Sequence, residues 1–141
     1  MSDWAERFLN TFERWAKTRG DILGAAIVGS FARGEETPAS DIDLVVLTTT
    51  PADYLMCTEW ASTFGVVQSE KQEDWGAIRS LRIRYIGGRE VEYGFTLPAW
   101  ASMPPDDGTR AVARRGIRVL VDPLGMLAAL CHEVALAPGS D

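Results

Sequence analysis

Two short apolar runs, Ile22 to Val28 and Ile42 to Leu47, constrain this chain most, because of what stands at their ends. The first leads into Gly29-Ser30. Ten residues later, Asp41-Ile42-Asp43 opens the second. Both runs read as buried strands, and the polar connection from Gly29 to Ser40 has room for a helical turn. Residues i and i+2 of a strand face the same way, roughly 6.5 Å apart along it. Asp41 and Asp43 therefore project together, next to the outlet of the preceding strand.

Each part has a plain reading and a chemical one. A Gly-Ser turn is commonly only a turn, yet glycine lets a backbone approach a phosphate closely and serine adds a hydroxyl donor. An Asp at a strand start commonly caps or solvates it. Asp43, however, sits among Ile42, Leu44, Val45 and Val46, where a bare charge is costly unless paired or metal-bound. Two carboxylates facing the same way repel, and magnesium relieves that by oxygen coordination. Arg33, three residues after the serine, is a candidate to meet a β- or γ-phosphate through its planar fork. Its plainer role is a solvated loop arginine. Ser40 either bonds phosphate or caps the turn before Asp41.

The rest of the chain supplies the frame. Residues 3–19 read as an amphipathic helix with Trp4, Phe8, Phe12 and Trp15 on one face, Ser2 or Asp3 as cap and Gly20 as stop. That stripe is expected to pack on a sheet and not to stack on a base. Thr50-Pro51-Ala52-Asp53 is a helix start, and the helix is expected to run to about Phe64, with Leu55, Trp60, Ala61 and Phe64 inward. Val66 to Ser69 read as a short strand and Glu70 to Asp74 as loop. Residues 78–86 and 89–97 form a hairpin, with a three-residue loop at Gly87-Gly88-Arg89 that pairs Arg84 with Glu92. Asp106 to Arg115 read as a short helix and Gly116 to Val121 as a last strand. Asp122-Pro123 then caps a helix carrying Leu124, Leu127, Leu130 and Val134, with a frayed tail from Ala137. His132 reads as a surface residue. Trp75 and Trp100 read as core or hairpin cover ahead of stacking platforms.

Composition narrows the partners. At 141 residues, one domain spanning 1–141 is expected. A net charge of −6 argues against nonspecific nucleic-acid binding. No basic-then-apolar leader stands at Met1, and no apolar run approaches the ~20 residues of a membrane span. Cys57 and Cys131 match no metal spacing, which suits free thiols in a reducing cytoplasm.

The Gly-Ser-x10-Asp-x-Asp pattern resembles the polymerase-β-like nucleotidyltransferase superfamily, in its minimal form, across about Ala25 to Phe95. The resemblance implies an α/β fold, a small mixed β-sheet flanked by α-helices. It implies a third carboxylate on a later strand, for which Glu92 is preferred over Glu90 because it lies deeper in its strand. Gly29, Ser30, Arg33 and Ser40 would hold nucleotide. Asp41, Asp43 and Glu92 would be the catalytic and metal-binding set, with two Mg2+ ions. The implied reaction moves a nucleotide, ATP first, onto a hydroxyl. The acceptor would be a helical partner protein, as for minimal nucleotidyltransferase antitoxins of toxin–antitoxin pairs, or an aminoglycoside-like small molecule in a site completed by a homodimer. A non-catalytic module of the same fold is the remaining alternative.

Overall fold

The computed structural model describes residues 3–37 and 40–136. In chain order the elements are α1 (Asp3–Lys17), β1 (Ile22–Val28), α2 (Ser30–Arg33), β2 (Ile42–Thr48) and α3 (Pro51–Met56). A 3₁₀ turn (Glu59–Phe64) leads to β3 (Val67–Asp74), β4 (Arg79–Tyr85) and β5 (Arg89–Thr96). A second 3₁₀ turn (Pro98–Ala101), α4 (Asp107–Arg115), β6 (Arg118–Val121) and α5 (Met126–Leu136) complete them. The described strands form one six-stranded sheet in the order β3-β4-β5-β2-β1-β6. Only the β2–β5 pair is parallel; the rest are antiparallel. This is the small mixed sheet with flanking helices that the sequence implies.

The two faces of the sheet differ in what covers them. On one face Ile42, Leu44 and Val46 of β2 join Leu81, Ile83, Val91, Tyr93 and Phe95 in a core roofed by α1. Phe8 and Phe12, one helical turn apart, both approach Tyr93 with ring centroids 6.2 Å away. The aromatic stripe of α1 thus packs on the sheet, as its spacing requires. On the other face Ala26, Val45 and Leu47 lie under Trp100, Leu127, Leu130 and Val134. Strand alternation places Asp41 and Asp43 on that second face, beyond the end of this smaller apolar patch.

Several expectations are corrected. The helix from Pro51 does not run to Phe64: it stops at Met56, and Cys57 is extended (φ −127°, ψ 113°) before the 3₁₀ turn. Side chains take the carbonyls that a continuing helix would have used. The Trp60 indole donates to the Tyr54 carbonyl at 2.9 Å, and Gln72 donates to that of Leu55 at 2.7 Å. The break seats Trp60 edge-on against Tyr93, with centroids 4.8 Å apart. Glu70 to Asp74 are strand, not loop, since β3 is a charged, exposed edge strand that pairs only with β4.

The last strand begins at Arg118, two residues later than expected. Asp122 does cap the final helix, accepting from the Leu127 and Ala128 amides at 3.0 and 2.9 Å. Leu124 lies before that helix and is exposed. α1 ends at Lys17. The proposed Ser2 cap and the tail from Ala137 fall outside the described residues. No helix among the described residues is long and apolar enough to cross a membrane.

Candidate active site

Gly29 is fixed by its neighbour across the strand pair. Its φ of +75° is a region that side chains disfavour, and a Cβ there would lie 2.6 Å from Asp43 Oδ2. Glycine therefore clears room for the Asp43 carboxylate as well as for a backbone turn. Val28 and Asp43 are register partners, so the acid stands at the mouth of β1. The chain then makes the single turn of α2, with the Ala32 and Arg33 amides donating to the Gly29 carbonyl. The Ser30 hydroxyl stands free of protein partners among the described residues.

Asp43 is also the register partner of Glu92 on the parallel strand β5, and Glu92 that of Arg82 on β4. One row across the sheet therefore runs Val28, Asp43, Glu92, Arg82. Glu92 is the deeper of the two glutamates, and the register sets it beside Asp43. Burial raises the Asp43 carboxyl to about 6, the charges of Glu92 and Asp41 push the same way, and Arg82 opposes them. Among the described residues the Asp43 carboxylate accepts no hydrogen bond.

Arg82 gathers the other acids. Its Nη1 donates to Asp41 at 3.0 Å and to Glu90 at 3.2 Å, and its Nη2 donates to Glu92 at 3.2 Å. Its Nε lies 3.9 Å from Glu73. Burial alone would lower the guanidinium, but Glu92, Asp41 and Glu90 outweigh it and hold the charge more firmly than usual. Among the described residues no set of three or more His, Cys, Asp or Glu side chains converges as a ready-made metal centre. Arg82 stands among the acids instead. Glu92 also accepts a long hydrogen bond, 3.4 Å, from Ser80, whose hydroxyl receives the Trp75 indole N–H at 3.0 Å.

The hairpin register explains why Arg82 and not Arg84 meets Glu92. The loop is Ile86-Gly87-Gly88, so Tyr85 opposes Arg89, Arg84 opposes Glu90 and Arg82 opposes Glu92. The expected loop lay one residue further on, which shifts the pairing by two and keeps every face. Arg84 instead holds Glu90 at 2.9 Å. Arg33 is not drawn to the carboxylate row: it pairs with Glu35 and its stem lies against Gly116. Ser40 accepts the Thr37 amide at 2.8 Å, a local turn contact. His132 is exposed, Trp100 is buried, and Trp75 is mostly exposed. Arg82 and Ser80 carry no motif of their own; only the strand pairing reveals them.

With this geometry in view, the comparisons are specific. Residues 9–95, well over half of the chain, match the family model of the nucleotidyltransferase domain. The chain belongs to that family. The matched span runs from α1 to the end of β5 and includes Gly29, Asp41, Asp43, Arg82 and Glu92. This nucleotidyltransferase-domain chain is 36% identical over 64 residues to a Methanocaldococcus jannaschii protein named "Putative protein adenylyltransferase". That stretch is 44% of the chain and 62% of the archaeal protein's length. An aminoglycoside 6-adenyltransferase from Bacillus subtilis superposes with a TM-score of 0.54 at 14% identity, over 72% of this chain and 37% of its own. Cid1, solved with the UTP analogue UMPNPP, gives 0.52 at 17% identity, over 82% of this chain and 34% of its own. The chain thus spans less than two thirds of each of these proteins, and the two structural likenesses concern the fold.

Proposed function

We propose that the chain transfers a nucleotidyl group, AMP in the first instance, from a nucleoside triphosphate to a hydroxyl acceptor. The observation that carries this is the pairing of Asp43 with Glu92 across β2 and β5, with Asp41 on the same face and Gly29 making room at the strand mouth. The acceptor oxygen bonds to the α-phosphorus, the bond from that phosphorus to the bridging oxygen breaks, and pyrophosphate carries the electron pair away. Glu92, which accepts hydrogen bonds from Arg82 and Ser80 in the unliganded protein, would take the acceptor's proton. The Gly29–Ser30 turn receives the outer phosphates. Arg33 and Ser40 belong to this role only if nucleotide draws them from Glu35 and Thr37.

The donor set suits a divalent cation. Asp43 is a half-buried carboxylate without a hydrogen-bond donor, and its neighbours Asp41 and Glu92 add negative charge beside it. Asp41, Asp43 and Glu92 are the residues that would hold magnesium, in the number of ions that nucleotide binding brings. Bound there, magnesium would lower the acceptor hydroxyl's pKa and steady the leaving oxygens.

A protein hydroxyl is the preferred acceptor. The name of the archaeal relative favours it. A separate helical protein would then supply the opposite wall, as in toxin–antitoxin pairs. The test is metal-dependent binding of ATP, CTP, GTP and UTP, followed by pyrophosphate release with candidate acceptors. Support is magnesium-dependent binding that favours ATP and release that requires an acceptor. Absence of nucleotide binding in magnesium would overturn the proposal in favour of a non-catalytic module.

A further inference from the structure

Arg82 is surrounded by more acid than a structural cross-link needs. One guanidinium serves Asp41, Glu90 and Glu92 by hydrogen bonds and stands 3.9 Å from Glu73, with its side chain about one-third exposed. These partners fall into two groups by role. Asp41 and Glu92 belong with Asp43 to the set assigned to the cation. Glu73, on the edge strand β3, and Glu90, two residues before Glu92 on β5, share that sheet face but stand outside the set. The Arg82 fork reaches both groups at once, and its approach to Glu73 is short of a hydrogen bond.

We propose that Arg82 is a displaceable internal counter-ion: it neutralises Asp41 and Glu92 in the resting protein and yields them to the divalent cation that arrives with nucleotide. The inference rests on the assignment of Asp41, Asp43 and Glu92 as cation ligands. Three acids on one face repel one another, and the fold must offset that before any cation binds. A guanidinium does so with directional bonds that also set each carboxylate's position. It does not fill the site completely, because among the described residues the Asp43 carboxylate accepts no hydrogen bond. When Arg82 releases Asp41 and Glu92 it has somewhere to go. Closing on Glu73 through Nε, with the Glu90 bond kept, leaves its charge paired. Metal alone must therefore compete with Arg82. The triphosphate adds ligands and negative charge, which shifts the competition toward the cation.

The test reads Mn2+ binding by electron paramagnetic resonance, with Mn2+ alone and with Mn2+ plus a non-hydrolysable ATP analogue. Arg82→Gln is expected to bind Mn2+ alone about fivefold more tightly than wild type, the upper scale of one partly exposed charge pair. Its further gain from the nucleotide analogue is expected to be smaller than in wild type. Arg84→Gln removes the same charge from the same strand but touches only Glu90, and is expected to leave Mn2+ affinity nearly unchanged. Thermal melts establish that each variant is folded. Should Arg82→Gln fail to fold, Arg82→Lys, which keeps the charge and loses the fork, is expected to tighten Mn2+ binding by a lesser factor. Unchanged or weaker Mn2+ affinity in the folded Arg82 variant would overturn the inference and make Arg82 a fixed brace. Equal tightening in Arg84→Gln would also overturn it, since the effect would then be general charge. If wild type binds no Mn2+ even with nucleotide, the cation-site assignment itself fails, and this inference with it.

Discussion

Two aspartates sit at opposite ends of the same strand pair and are treated in opposite ways. Asp21 precedes β1 at the end where Ile22 opposes Thr48, and Asp43 lies at the other end, opposite Val28. Asp21 accepts hydrogen bonds from the Tyr54 hydroxyl at 2.6 Å, from Thr48 at 2.9 Å and from Thr50 at 3.3 Å. Burial pushes its carboxyl up, but those bonds together outweigh burial and hold it below the ordinary value. Asp43 has burial without donors, and acids for neighbours, so its carboxyl rises. Asp21 is a completed tie between the start of α3 and the sheet. Asp43 is a carboxylate that the fold leaves without a hydrogen-bond donor among the described residues, the state that the proposed cation role requires.

The largest effect separates the acids of the row from everything else. Glu92→Gln is expected to lower nucleotidyl transfer by ~10²–10⁴-fold, the usual contribution of a proton acceptor. Glu90→Gln, removing a carboxylate held by Arg84 and Arg82 at the outer end, is expected to be mild. Steady-state rates decide it, and a reversed result would move the third acid to Glu90. Asp21→Ala tests the other end. It is expected to cost about 2 kcal/mol of stability in urea melts, because three hydroxyls lose their acceptor, while transfer per folded molecule is kept. Loss of transfer without loss of stability would erase the contrast.

A smaller effect lies in pH, and its sign differs between the two aspartates. The Asp43 carboxyl is raised in the fold, so its contribution to stability is full below the unfolded value near 3.8 and is lost as pH rises through about 6. Asp43→Asn is therefore expected to be more stable than wild type at pH 7, by about 1–2 kcal/mol once partial exposure is allowed for. That gain is expected to vanish at pH 4. Asp21 is lowered, so its contribution is present above the unfolded value and is lost as pH falls below it. Urea melts of both variants from pH 3 to 7 distinguish the two signs.

Much of this arrangement was legible in the sequence, for reasons that differ by element. β1 and β2 are central strands buried on both faces, so they read as unbroken apolar runs. The alternation of Arg82 and Arg84 with Leu81, Ile83 and Tyr85 gave the correct faces of β4. It did not give the register, because Ile86 reads as a strand residue. In the structure Ile86 opens the loop, exposed, with its amide turned to the Val66 carbonyl. That single position decides whether Arg82 or Arg84 meets Glu92. Only the start of β3 was legible, as the short strand at Val66 to Ser69; Glu70 to Asp74 read as loop because an edge strand hydrated on both sides carries no alternation. Asp21 left no signal, since its partners lie 27 to 33 residues away and are joined to it only by the fold.

The central claim is that Asp43 is an incomplete carboxylate awaiting a cation that comes with nucleotide. Calorimetric titration of ATP, with and without magnesium, into wild type and Asp43→Asn tests it most directly. Wild type is expected to bind ATP more tightly with magnesium, and the variant, folded by its thermal melt, to lose most of that gain. An equal magnesium dependence in the two proteins would contradict the account.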